Sequence, residues 1–173
     1  GLTLGADANF YGTTYQGGAG GRGTVFRIST NGELATLCSF SNGREGGHLA
    51  AGLVQGGDGS YYGTTYKGGA NSNGTVFRIT PNGTLTSLTS FNKTNGALPL
   101  AELAPDPAGD YWGTTTAGGA YGNGAIFRIS SAGVLSNPHS FTGGTDGSYP
   151  AAALLLGSDG NFYGTTAYGG EYG

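Results

Sequence analysis

The chain has 173 residues, among them 38 Gly, 11 Tyr and 8 Phe, with 7 basic and 10 acidic side chains. So many aromatics at a net charge of −3 exclude the regime of disordered chains, so the glycines are read as turn and close-packing residues of a loop-rich fold. Scattered Lys and Arg argue against nucleic acid as a partner, a lone Cys38 excludes an intrachain disulfide, and the longest apolar run, Ala151 to Leu156, is too short to span a bilayer.

In chain order, the first unit (residues 1–48) carries Leu2, the segment Tyr11-Gly12-Thr13-Thr14, the block Thr24-Val25-Phe26-Arg27-Ile28 and then Ser39-Phe40. The second (49–98) repeats these as Leu53, Tyr62-Gly63-Thr64-Thr65, Thr75 to Ile79 and Ser90-Phe91. The third (99–149) has Leu103, Trp112-Gly113-Thr114-Thr115, Ala125 to Ile129 and Ser140-Phe141. The last (150–173) keeps only Leu154 and Tyr163-Gly164-Thr165-Thr166. The glycines at 12, 63, 113 and 164 are spaced by 51, 50 and 51 residues, and the other markers hold the same period.

Within a unit the segments are short, β-branched or aromatic, and bounded by Gly, Asn and Asp. In the second unit strand A is expected near Leu53 to Gly56, B at Tyr61 to Tyr66, C at Gly74 to Thr80 and D at Leu85 to Phe91. Asn82-Gly83 reads as a tight hairpin between C and D. Val76, Phe77 and Ile79 do not alternate cleanly with polar residues, so both faces of the sheet are expected to meet apolar neighbours. Pro138 in the third strand D marks that strand as an outer edge, which puts strand A on the axis. These features predict an all-β β-propeller built of four-stranded antiparallel blades, about three and a half in this chain. Such an arc does not close a ring, so the chain is expected to be a window on a longer array, or else to assemble with further copies.

The NGTVFRI, YGTT and SF motifs resemble the bacterial tandem repeats named GloVer, over essentially the whole chain. The resemblance implies a propeller-like array in large secreted, surface-anchored proteins, and it supplies no catalytic residues. The strand layout is also similar to that of NHL-type propellers, and more weakly to kelch repeats. An extracellular or cell-surface bacterial location is expected on this basis and from the composition, which is poor in Lys and rich in Gly, Thr, Ser, Asn and Tyr.

The topology sorts the connections onto two ends. The A–B and C–D turns repeat themselves, whereas the B–C and D–A loops vary, and variation on a uniform scaffold is where a binding site is expected. Candidate ligand-binding residues on that face are Tyr15, Arg22, Arg44, His48, Tyr66, Lys67, Tyr121, Asn123, Tyr149 and Tyr168. The tyrosines suit stacking on a sugar ring or anchoring a protein partner, with packing between blades as the competing reading. Arg27, Arg78 and Arg128 are expected to be structural, with Asp7, Asp58 and Asp159 of the A–B turns as candidate partners. One Asp per turn suits Asp-Gly turn chemistry better than calcium, so no metal and no cofactor are expected. Cys38, Thr89 and His139 share one repeat position, which separates Cys38 from His139 by two blades and rules out a dyad. The expected function is a non-catalytic binding module for a glycan or a protein. The alternatives are a self-assembling ring or fibre element, and a piece of a propeller enzyme such as a lyase or lactonase.

Overall fold

The computed structural model describes residues 1–171. Fourteen strands form three four-stranded antiparallel sheets and one two-stranded sheet, and the described residues contain no helix. The first sheet runs β1 (Leu2–Leu4), β2 (Phe10–Thr14), β3 (Thr24–Ile28), β4 (Leu34–Ser39) in simple up-and-down order. The second is β5 (Val54–Gln55), β6 (Tyr61–Thr65), β7 (Thr75–Ile79), β8 (Leu85–Ser90). The third is β9 (Ala104–Pro105), β10 (Tyr111–Thr115), β11 (Ala125–Ile129), β12 (Leu135–Ser140), and the last pairs β13 (Leu155–Leu156) with β14 (Phe162–Tyr163). The four strands expected in each of the first three units and the two expected in the last are present, with strand A reduced to two or three residues.

Register explains the repeat markers. Gly12, Gly63 and Gly113 face Phe26, Phe77 and Phe127 across the B–C ladder, and each Phe ring lies over its glycine. Cys38, Thr89 and His139 pair with Val25, Val76 and Ile126, which confirms their common position. Pro138 falls within the irregular stretch of the β11–β12 ladder, on an outer strand that needs no second partner. The C–D turn differs in detail from the expected hairpin. Gly83 alone has positive φ, at 88°, and Gly83 N–H donates to Thr80 C=O, so Pro81-Asn82 form a type I turn that Gly83 closes.

The cores lie between blades. Tyr11, Val25 and Phe40 of the first unit pack on Leu49, Leu53, Tyr61, Phe77 and Ile79 of the second. The second packs on the third through Tyr62, Val76 and Phe91 against Leu103, Tyr111, Phe127 and Ile129. Ring contacts repeat: Tyr11 stacks on Tyr61 at 4.0 Å, Tyr62 on Tyr111 at 4.2 Å and Trp112 on Phe162 at 4.9 Å. Outside these, Phe40 meets Phe77 and Phe91 meets Phe127. Thr13, Thr64 and Thr114 hydroxyls donate to the carbonyls of Ala51, Ala101 and Ala152 in the next unit. On the inner side the strand A starts converge, and the Glu102 carboxylate reaches over Gly52.

Candidate functional site

At the turn end, aspartates work on their own blades. Tyr11, Tyr62 and Tyr163 hydroxyls donate to Asp7, Asp58 and Asp159 four residues earlier, at 2.9, 3.1 and 2.7 Å. Burial pushes the Asp58 carboxyl up, but donation from Ser60 and Tyr62 together with the Arg78 charge outweighs it and holds it below the usual range. Desolvation beside these carboxylates raises the Tyr11 and Tyr62 phenols. The third blade changes both partners at once: Trp112 replaces the tyrosine, and its Nε1–H donates to Asp106 at 3.0 Å.

The arginine expectation holds in part. Arg78 pairs with Asp58 at 3.8 Å, and Arg128 pairs with Asp110 at 2.6 Å and Asp106 at 3.9 Å, all within one blade. Arg27 has no ion pair with Asp7, or with any other carboxylate among the described residues. Asp106 and Asp110 were missed in the sequence because Ala108 stands at the position of Asp58, while the acids fall at the positions of Gly56 and Ser60.

The loop end is built differently. At each blade junction the D–A residue donates its N–H to the B–C loop and accepts from the next strand B: His48 to Arg22 C=O at 2.6 Å, Leu98 to Asn73 at 2.9 Å, Tyr149 to Asn123 at 2.9 Å. Tyr66, Thr116 and Ala167 N–H groups complete the chain to the carbonyls of His48, Leu98 and Tyr149. His48, Leu98 and Tyr149 all sit at positive φ, 58°, 57° and 58°. A bulky residue there is strained, and the strain persists because both of its peptide groups are fixed. One backbone device therefore presents three different side chains.

The first junction gathers six of the expected residues. The Tyr15 and His48 rings lie 4.8 Å apart, Arg22 Nη1 approaches His48 Nε2 at 3.2 Å, and Lys67 Nζ lies 5.6 Å from the Tyr66 ring centre. With Arg22 donating to Nε2, the neutral imidazole carries its proton on Nδ1, a buried donor without a partner. The Arg44 hairpin is tied beside Lys67 by Gly69 N–H to Gly43 C=O and by the Gly47–Lys67 bridge. The third junction brings Asn123, Tyr149 and Tyr168 around an open cleft of about 200 Å³, the two rings 5.9 Å apart. Tyr121 stands apart, 64% exposed. Tyr15, Tyr149 and Tyr168 are also exposed, while Tyr15 keeps a ring contact to His48 and Tyr149 one to Tyr168 of the next unit; Tyr66 is half-buried. The strained Leu98 was not foreseen: its side chain is apolar, and only the step from 48 to 98 to 149 betrays it.

Four-stranded meander sheets stacked face to face around converging inner strands define a β-propeller repeat protein. The chain belongs to the family described as the Gloeobacter/Verrucomicrobia repeat, which matches residues 1–173 and bears out the resemblance read from its motifs. Among solved structures it is similar to selenomethionine-substituted virginiamycin B lyase from Staphylococcus aureus, 21% identical, with a TM-score of 0.61 over 95% of this chain and 47% of that one. It is likewise similar to a gluconolactonase from Xanthomonas campestris, 14% identical, TM-score 0.60, over 94% of this chain and 52% of that one. The chain thus spans about half the length of these structures, and the likeness is one of fold. No curated protein matches its sequence.

Proposed function

We propose that the chain is a non-catalytic binding module, working outside the cell, that holds a glycan on its B–C and D–A loop face. The observation that carries this reading is the junction device: one strained backbone position, repeated at His48, Leu98 and Tyr149, offers different side chains, beside an exposed tyrosine at the first junction (Tyr15) and the third (Tyr168). Evolution keeps such strain where presentation matters, and tyrosine combines a flat apolar face with a polar tip suited to sugar rings. The turn end, by contrast, spends its aspartates on its own Tyr, Trp and Arg side chains.

Screening the chain on a glycan array and against immobilised extracellular proteins tests the reading. Saturable binding to glycans that Tyr15→Ala or Tyr149→Ala weakens supports it. Binding to proteins alone changes the ligand class, and no binding above background removes the proposal. Self-assembly is a second reading: Tyr163 holds the position at which Tyr11 and Tyr62 stack and is 56% exposed, a face that a further blade, of the same chain or of a second copy, would cover. A particle mass that rises in steps with concentration is the outcome it requires in light scattering.

A further inference from the structure

We infer that the junction between the first and second blades binds an anionic sugar, a pyranose bearing a carboxylate or sulfate; this rests on the glycan reading above. Four of the seven basic residues, Arg22, Arg44, Lys67 and Lys93, lie on the loop face, and none has a carboxylate within 4.0 Å among the described residues. Three of them surround one junction. Glu45, the single acid beside them, is already engaged by the Ser41 hydroxyl at 2.5 Å and by the Ser41 N–H at 3.2 Å. In a chain of net charge −3, Arg78 and Arg128 are paired within their own blades, whereas Arg22, Arg44 and Lys67 cluster at this junction without an ion pair among the described residues; Arg27 is unpaired too but stands singly on its strand.

The surrounding chemistry selects the ligand. Tyr15, 45% exposed, lies against His48 and offers a ring face to the C–H groups of a pyranose. Arg22 has a planar fork that matches a carboxylate or sulfate, and Lys67 supplies a mobile point charge. Three cations are too few to track a nucleic-acid backbone, which needs a longer basic groove. The other junctions serve as built-in controls. On the same backbone the second carries Asn73, Leu98 and Ala117, and the third carries Asn123, Tyr149 and Tyr168. Neither places more than one cation near the strained residue, since Lys93 stands alone at the second. Charge is therefore a property of one junction and not of the repeat.

Isothermal titration of the chain with an oligogalacturonate, a dextran sulfate oligomer and a neutral malto-oligosaccharide tests the assignment. Saturable binding of an anionic probe, weakened by added salt, is expected, and which of the two binds tighter identifies the anion. Arg22→Gln and Lys67→Gln are each expected to raise Kd about tenfold, the loss of one hydrogen bond to a charged group. Lys93→Gln at the next junction is expected to leave Kd unchanged. Lys67 is exposed, so its substitution keeps the test interpretable if Arg22→Gln disturbs the His48 contact. Binding of the neutral probe alone, or anionic binding indifferent to both substitutions, overturns the inference and leaves the glycan reading standing. No binding of any probe here or on the glycan array overturns both.

Discussion

Gly63→Ala tests the packing rule that makes the YGTT glycine a fixed part of the repeat. A Cβ at Gly63 would stand 2.8 Å from Phe77 Cζ and 2.9 Å from Leu53 Cδ2, both closer than real Cβ contacts. Phe77 is fully buried and packed against Phe40, so its ring has nowhere to retreat. Overpacking of this kind costs about 1–3 kcal/mol, and replacing a strand glycine by alanine returns about 0.5–1 kcal/mol of chain entropy. The expected net loss is about 1–2 kcal/mol, read as a lower urea midpoint by fluorescence and as faster amide exchange in the second blade. Two controls sharpen it. At Gly164, exposed just after the last strand, the new Cβ meets one atom, Leu154 Cδ2 at 2.7 Å, the end of a side chain with no phenylalanine ring beside it, so Gly164→Ala is expected to cost less than Gly63→Ala. In a Phe77→Leu background, which removes Cζ, Gly63→Ala is expected to cost less than in the parent. A Gly63→Ala protein as stable as the parent, or an equal cost in the Phe77→Leu background, refutes the reasoning.

Three further outcomes follow from local geometry. Lys93 has φ of 74° where the next repeat has Gly143 at 84°, so Lys93→Gly is expected to raise stability by about 0.5–1 kcal/mol in urea unfolding. The Asp159 carboxyl is held down to about 2 by the Tyr163 hydroxyl and the Asn161 amide. Its native value lies below the ordinary 3.8, so the turn's stability is present above that value and lost as pH falls through about 2. Asp159→Asn is expected to abolish that titration in the Tyr163 ring and Asn161 amide resonances. Glu102 goes the opposite way: burial pushes its carboxyl above the ordinary 4.5, so its own contribution to stability is most favourable below 4.5 and is lost as pH rises through the native value. Glu102→Gln is expected to raise Tm at neutral pH and to lose that advantage near about pH 4.

Much of the architecture was legible because the repeat compares the sequence with itself. A marker such as Gly12, Gly63 and Gly113 recurs only if the same neighbour, here a strand C phenylalanine, presses on it each time. The strand order and the common position of Cys38, Thr89 and His139 came from the same comparison, and the outer position of strand D from Pro138. The substitutions that compensate for one another were hidden. Trp112 with Asp106 does the work of Tyr62 with Asp58, but the acid moves in sequence as the ring changes. At the loop face the backbone repeats while side chains do not, so His48 and Tyr149 were named as polar or aromatic candidates and Leu98 was passed over. Glu102 escaped notice because its equivalents Gly1, Gly52 and Ala153 are small, and only the three-dimensional convergence of the inner strands gives it a neighbourhood.

The most direct test of a binding face is an amide chemical-shift map of the chain titrated with an oligogalacturonate. The account predicts changes concentrated at Arg22, Arg44, His48, Tyr66 and Lys67, with the turn-end residues Asp58, Asn82 and Asp106 unmoved. Changes centred on the turn end or along the inner strands would contradict it.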